Sequence, residues 1–194
     1  GNTWEPITAG LPDAPVNVII EDPVNKDLLY LGNDAGVYIS FNAGESWIPF
    51  KQNMPSVPVK DLKIQPEEND LIVGTYGRGA YVIDISLIQQ LSDFPPSKKV
   101  ELFKIEPKPI TNYSGRAYWG NYEMNGDNHL FTPNEQNGFH IFYKINDETL
   151  EASYLEVLDG AGIRIDSLGI KNDKNIQRLV YDTRKLKAGV YRIK

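Results

Sequence analysis

The amino-acid sequence predicts an all-β protein: propeller-blade repeats of about 43 residues, followed by an immunoglobulin-like β-sandwich. Three observations lead there. The first is an internal repeat. Shifting the chain by 43 positions matches Gly1 with Gly44, Trp4 with Trp47, Pro6 with Pro49, Pro12 with Pro55, Pro15 with Pro58 and Val16 with Val59. The match then runs on without a gap through Pro23 and Pro66, Asp27 and Asp70, Leu28 and Leu71, Gly36 and Gly79, and Tyr38 and Tyr81. The second is that short apolar runs of strand length alternate with clusters of Gly, Pro, Asn and Asp. The third is composition: 11 Tyr, 7 Phe and 3 Trp stand beside 16 Gly and 13 Pro, a balance suited to pleated strands punctuated by turns.

In the first unit the runs at 16–20, 28–31, 36–40 and 46–50 read as strands, and in the second those at 61–64, 71–74 and 80–83. Four short antiparallel strands recurring at about 40–45 residues are the pattern of a propeller blade. After Ile83 the turn that should end the second copy is missing, because Asp84-Ile85-Ser86 runs into Leu87-Ile88-Gln89-Gln90-Leu91. Ser86 is placed to cap a short helix there, stopped by Pro95-Pro96. The expected division is 1–86 for the last two blade units, 87–106 for a connection with a strand at 100–105, and 107–194 for the sandwich. Residues 107–138 are turn-rich and aromatic and read as a long loop region. Beyond them, runs at 138–145, 152–158, 162–167, 176–182 and 189–193 read as strands. Phe139, Ile141 and Tyr143 alternate with His140, Phe142 and Lys144 as on a half-buried strand, which makes His140 a surface residue. A small antiparallel sandwich of about seven strands is the economical fold.

With 194 residues the chain is long enough for two domains with real cores. Its net charge is −6, and no basic run exceeds Lys98-Lys99, which argues against a nucleic-acid partner. The absence of cysteine excludes a disulfide framework, a thiolate metal site and a cysteine nucleophile. No apolar stretch approaches the roughly 20 residues needed to span a bilayer, so membrane insertion is not expected. Gly1-Asn2-Thr3-Trp4 reads as the tail of a further copy of the repeat. The expectation is therefore a C-terminal portion of a larger protein, with a signal peptide upstream and a secreted, periplasmic or cell-surface location. Two blades cannot close a propeller, and their exposed edges predict cover by each other, by the sandwich or by another copy of the chain in a homodimer.

Ser40-Phe41-Asn42-Ala43-Gly44-Glu45-Ser46-Trp47 resembles the Asp-box, or BNR repeat, of sialidases, xyloglucan-cleaving glycoside hydrolases and sortilin-type propellers, whose pattern is Ser-x-Asp-x-Gly-x-Thr-Trp. It departs at Asn42 and Ser46, both of which keep hydrogen-bonding oxygens. The stretch from Val73 to Asp84 resembles the closing blade of bacterial sortilin-like proteins, with Tyr76 in place of the usual His. Asp159-Gly160-Ala161-Gly162, Tyr181-Asp182-Thr183-Arg184 and Gly189-Val190-Tyr191 are similar to a terminal immunoglobulin-like domain of FlgD type, Tyr181 standing where Trp is commoner. The resemblance implies a non-catalytic binding or scaffolding portion of an exported bacterial protein, with glycan or protein as partner. The alternatives are a fragment of a glycoside hydrolase whose catalytic acids lie on other blades, and a sortilin-like peptide-binding propeller.

Candidate residues follow. Ser40, Asn42, Gly44, Ser46 and Trp47 are expected to build a structural turn, the short polar side chains satisfying local backbone groups while the indole packs between blades. The segment Gly74-Thr75-Tyr76-Gly77-Arg78-Gly79 lacks the Gly-Lys-Ser/Thr ending and the helix of a phosphate loop. Its glycines suit a tight hairpin, with Arg78 reaching a carboxylate or carbonyls. Tyr76 and Arg78 are candidate ligand-binding residues. So are Tyr118, Trp119 and Tyr122, with Tyr113 nearby, since aromatic faces stack on sugar rings, although packing of the loop region against the sandwich or the last blade suits them better. Glycoside hydrolysis needs two carboxyls facing across the bond. Glu21, Asp22, Asp34, Glu67, Glu68 and Asp84 offer no evident pair and read mostly as solvated turn residues, so no catalytic residue is assigned. His129 and His140 are too few for a zinc site. Asn125-Gly126-Asp127-Asn128 and Asp159-Gly160 suit turns better than calcium loops. Neither a metal nor a cofactor is expected.

Overall fold

In a computed structural model describing residues 3–51, 54–91, 100–105, 138–147, 153–171, 173, 175–184, 186–187 and 189–194, the chain is all-β, with small antiparallel sheets and one six-residue helix. It divides into two compact units, Gly1–Pro95 and Pro96–Lys194.

The first unit holds two meanders. Strands β1 (Val16–Glu21), β2 (Leu29–Asn33), β3 (Gly36–Ser40) and β4 (Ile48–Pro49) form one sheet in sequence order, and β5 (Val59–Gln65), β6 (Asp70–Thr75) and β7 (Ala80–Asp84) form the other. The repeat is visible in a backbone detail. A register shift falls between Val16 and Val18 in the first sheet and between Val59 and Asp61 in the second, 43 positions on. The gapless alignment needs one correction, however. Ile19 pairs with Leu31 whereas Leu62 pairs with Val73, so the middle strands are offset by 42. The first turn of the second unit is one residue shorter and its hairpin, closed by Thr75 and Gly79, one residue longer than that between Asn33 and Gly36. The two changes cancel, which is why sequence matching alone passes over them.

Strand β5 packs against β1 and β2. The shared core takes Tyr30, Val37 and Ile39 from the first sheet and Val59, Leu62, Leu71 and Val73 from the second, all buried. Burying each such aliphatic side chain is worth about 1.5–3 kcal/mol. Gly32 lies on the same face. A Cβ there would come within 2.5 Å of Val59 Cγ1 and 2.8 Å of Val18 Cγ1, so the missing side chain is what lets the sheets approach. Because side chains alternate along a strand, each sheet meets the other with the opposite face of the repeat. Residues of the first sheet that face the core (Val18, Ile20, Gly32, Ile39) correspond to Asp61, Lys63, Gly74 and Val82, which point away from it.

Helix α1 (Ser86–Leu91) follows β7. The predicted cap is displaced by two residues: Asp84 Oδ1 accepts from Ser86 N–H at 2.9 Å and from its hydroxyl at 2.6 Å. Ile85 and Ile88 enter the core, and Gln89 Nε2 donates to the buried Asp22 Oδ2 at 2.9 Å. Asp22 Oδ1 accepts from the N–H groups of Val24 and Asn25, and the Tyr30 hydroxyl donates to Oδ2 at 3.3 Å. Asp22 is therefore a buried internal anchor and not one of the solvated turn residues among which the sequence placed it. Burial and the adjacent Asp22 carboxyl push the Tyr30 phenol far above its ordinary value.

In the second unit β8 (Val100–Leu102), β9 (Phe139–Ile145) and β12 (Gln177–Tyr181) form a sheet of order β12-β9-β8, and β10 (Ser153–Leu158), β11 (Arg164–Ile170) and β13 (Arg192–Ile193) one of order β11-β10-β13. Both feed one core: Ile141, Tyr143 and Ile145 from β9, Leu155 and Val157 from β10, and Tyr181 from β12. The Tyr143 hydroxyl accepts from Lys171 N–H at 3.0 Å, joining β9 to the residue after β11. Asp159 closes the β10–β11 hairpin, its Oδ1 accepting from Ala161 and Ile163 N–H, with Gly162 in the left-handed region. That carboxylate is engaged by the turn. His140 departs from expectation: it is buried on the face of β9 opposite Ile141 and Tyr143, with Arg178 of the paired strand β12 placing Nη2 3.1 Å from Nδ1.

Candidate functional site

The two ends of the first unit differ in kind. At one end lies the Ser40–Trp47 turn, where nearly every polar group has a local partner. Ser40 Oγ accepts from Gly44 N–H at 2.9 Å and donates to Asn42 Oδ1 at 2.9 Å. Asn42 Oδ1 accepts from Ser46 N–H at 3.0 Å, and its amide donates to Ser46 Oγ at 3.0 Å. Gly44 adopts φ 92, a left-handed conformation that a side chain would strain. Trp47 is buried beneath residues 7–10: its indole N–H donates to Ile7 O and its backbone N–H to Ala9 O, both at 2.8 Å. These groups are consumed in holding the turn and the preceding segment.

At the other end the connection from β4 to β5 meets the hairpins β2–β3 and β6–β7 around a cavity of about 460 Å³. Val37, Tyr38, Phe50 and Met54 supply apolar walls, and Lys51, Ser56 and Thr75 supply polar ones. Among the described residues Asp34 is the one acid lining it. Asp34 Oδ1 accepts from Lys60 Nζ and from Asn17 Nδ2, each at 2.8 Å, and Asn17 Nδ2 also donates to Val59 O at 2.9 Å. Hydrogen bonding by Lys60, then by Asn17, holds the Asp34 carboxyl below the usual aspartate range. A glycosidase general acid needs the opposite displacement.

Tyr76 and Arg78 follow Thr75, a residue of the cavity wall, into the β6–β7 hairpin and do not themselves line the cavity. The hairpin is fixed by Thr75, whose N–H and hydroxyl both donate to Gly79 O, and by Tyr76 N–H donating to Pro58 O at 2.8 Å. Gly77 and Gly79 take φ 81 and 75, as the expected tight turn requires. Tyr76 is 73% exposed. Arg78 does not reach a carboxylate or carbonyl: at the tip of the turn its side chain is exposed, with no hydrogen-bond or ion-pair partner among the described residues. Sequence reading missed the Asp34–Lys60–Asn17 tie. Asp34 sits in a polar turn like any other, and the lysine that fixes it is 26 residues away.

Asp70 and Asp84 face each other across β6 and β7. Burial, then Asp84 and Glu68, raises the Asp70 carboxyl. Asp84 is engaged by Ser86, and no group of three or more His, Asp or Glu side chains suited to a metal ion occurs among the described residues. Tyr118, Trp119 and Tyr122, with Tyr113, His129 and the 125–128 turn, lie outside the described residues. No described helix is long and apolar enough to cross a membrane. No family model, curated protein or solved structure matches this chain.

Proposed function

We propose that the chain is a non-catalytic binding or scaffolding part of an exported protein of the Asp-box propeller type. Its first unit would supply blades, its second an immunoglobulin-like sandwich, and the cavity end of the first unit would contact a glycan or protein. The observation that carries this reading is the contrast between the two ends. The Asp-box-like turn spends its polar groups internally, whereas the opposite end presents an exposed tyrosine, an arginine without a partner among the described residues and a mixed polar and apolar cavity. The cavity's one acidic wall residue among those described is already held by Lys60 and Asn17, which favours binding over hydrolysis. The test is a glycan array followed by titration calorimetry on the best hit, with a peptide library in parallel. Tyr76→Ala and Arg78→Ala should each weaken binding about tenfold, the loss of one stacking or charge-assisted contact. Release of reducing sugar, abolished by Asp34→Asn, would overturn the reading.

A further inference from the structure

We infer that the cavity of the first unit takes a bulky apolar side chain of a protein ligand, with an acidic residue of that ligand beside it at Lys51. This rests on the proposal that the cavity end binds, and it narrows the ligand from glycan or protein to protein.

The class of ligand follows from what the walls leave unspent. Val37, Phe50 and Val59 line the cavity and belong to the buried core, and Met54 and Val57 line it from the connection between β4 and β5. Met54, unbranched and polarizable, can adapt to the shape of an apolar guest. Of the polar side chains, Asp34 has its charge matched by Lys60, and the Thr75 hydroxyl has given its proton to Gly79 O. Those with no hydrogen-bond partner among the described residues are Lys51, Ser56 and Tyr38. A sugar carries hydroxyls around its whole edge, and each loses water on entry at a cost wherever no partner replaces it. An apolar side chain carries none. Stacking of a sugar also needs an open aromatic face, whereas Phe50 is only 7% exposed and Tyr38 is half-buried. A Cβ on Gly36 would meet nothing within 4 Å, so that part of the wall is bare main chain, suited to the main chain of a peptide.

The charge completes the description. Lys51 is the one cation among the described wall residues, exposed and without an ion-pair partner among them. With Asp34 already matched, the wall keeps one uncompensated positive charge, which an Asp or Glu next to the apolar anchor would meet.

The test presents the whole chain with a positional-scanning library of acetylated, amidated hexapeptides, followed by calorimetry on the best sequence, with a glycan array in parallel. Leu, Met or Phe at one position should bind at least about tenfold better than Ser there, with Asp or Glu preferred next to it. Ser56→Trp puts an indole into the cavity from an exposed position and should abolish that binding; Ala35→Leu serves if this variant fails to give a native circular dichroism spectrum. Lys51→Glu should turn the neighbouring preference from acidic to basic, a change that a merely structural role for Lys51 would not produce. Glycan binding blocked by Ser56→Trp would overturn the choice of protein while leaving this end as the binding end. Peptide binding that survives a folded Ser56→Trp variant, shows no apolar preference, or keeps its acidic preference with Lys51→Glu would overturn the inference and leave the binding role standing. A chain that binds neither class would overturn both.

Discussion

Val59 occupies the space that a side chain on Gly32 would need, 2.5 Å from where its Cβ would stand. This one relationship sets the spacing of the two sheets in the first unit. Gly32→Ala should overpack the interface and cost about 1–3 kcal/mol in urea unfolding. Since the clash is with Val59, Gly32→Ala combined with Val59→Ala should lose less than the sum of the two single changes. Strict additivity would place the constraint elsewhere.

Asp22 joins the β1–β2 turn, Tyr30 and α1 through four accepted hydrogen bonds at a buried position. Asp22→Ala leaves the Tyr30 hydroxyl and the Gln89 amide facing the gap, and should cost about 2–3 kcal/mol. Asp22→Asn, which keeps one oxygen, should cost less. Thermal unfolding of both variants separates these cases, and equal losses would contradict the account.

In the Ser40–Trp47 turn, Ser40→Ala removes the acceptor of Gly44 N–H and should cost about 1–2 kcal/mol. Trp47→Phe removes the indole donor to Ile7 O, and should free residues 7–10 before the rest of the unit unfolds. Hydrogen exchange would show it as faster exchange at Leu11, whose N–H donates to Thr8 O, with little change in the strands.

Two aspartates should give opposite pH signatures. Asp34 has a lowered folded-state value, so its contribution to stability is present above the ordinary aspartate range and is lost as pH falls through the lowered value. Asp34→Asn or Lys60→Met should flatten that part of the acid limb. Asp70 has a raised value, so its ionised form opposes folding at neutral pH and protonation relieves the opposition. Asp70→Asn should therefore raise the Tm at pH 7 and leave it unchanged in acid below the unfolded-state value. Thermal melts across pH 2.5–7 check both signs, a range set by ordinary aspartate titration near about 4.

Several strands were legible to within a residue or two. The predicted 36–40, 80–83 and 138–145 compare with Gly36–Ser40, Ala80–Asp84 and Phe139–Ile145. Their apolar alternation and flanking turn residues are local signals. The fourth strand, predicted at 46–50, shrinks to Ile48–Pro49, because Ser46 and Trp47 are committed to the turn and to residues 7–9. The left-handed glycines of the 75–79 hairpin were legible too, since tight turns demand them locally.

By itself the sequence determined the all-β class, the 43-residue repeat and the turn chemistry of Ser40 to Trp47, all of which depend on residues a few positions apart or on simple periodicity. Only the tertiary structure decided that Asp22 and His140 are buried, that Asp34 belongs to Lys60 and Asn17, that Arg78 has no partner among the described residues, and which face of each sheet meets the other. The reason is that these facts depend on what arrives from elsewhere in the chain. A charged or polar residue in a turn looks the same in sequence whether water or a distant side chain completes its hydrogen bonds.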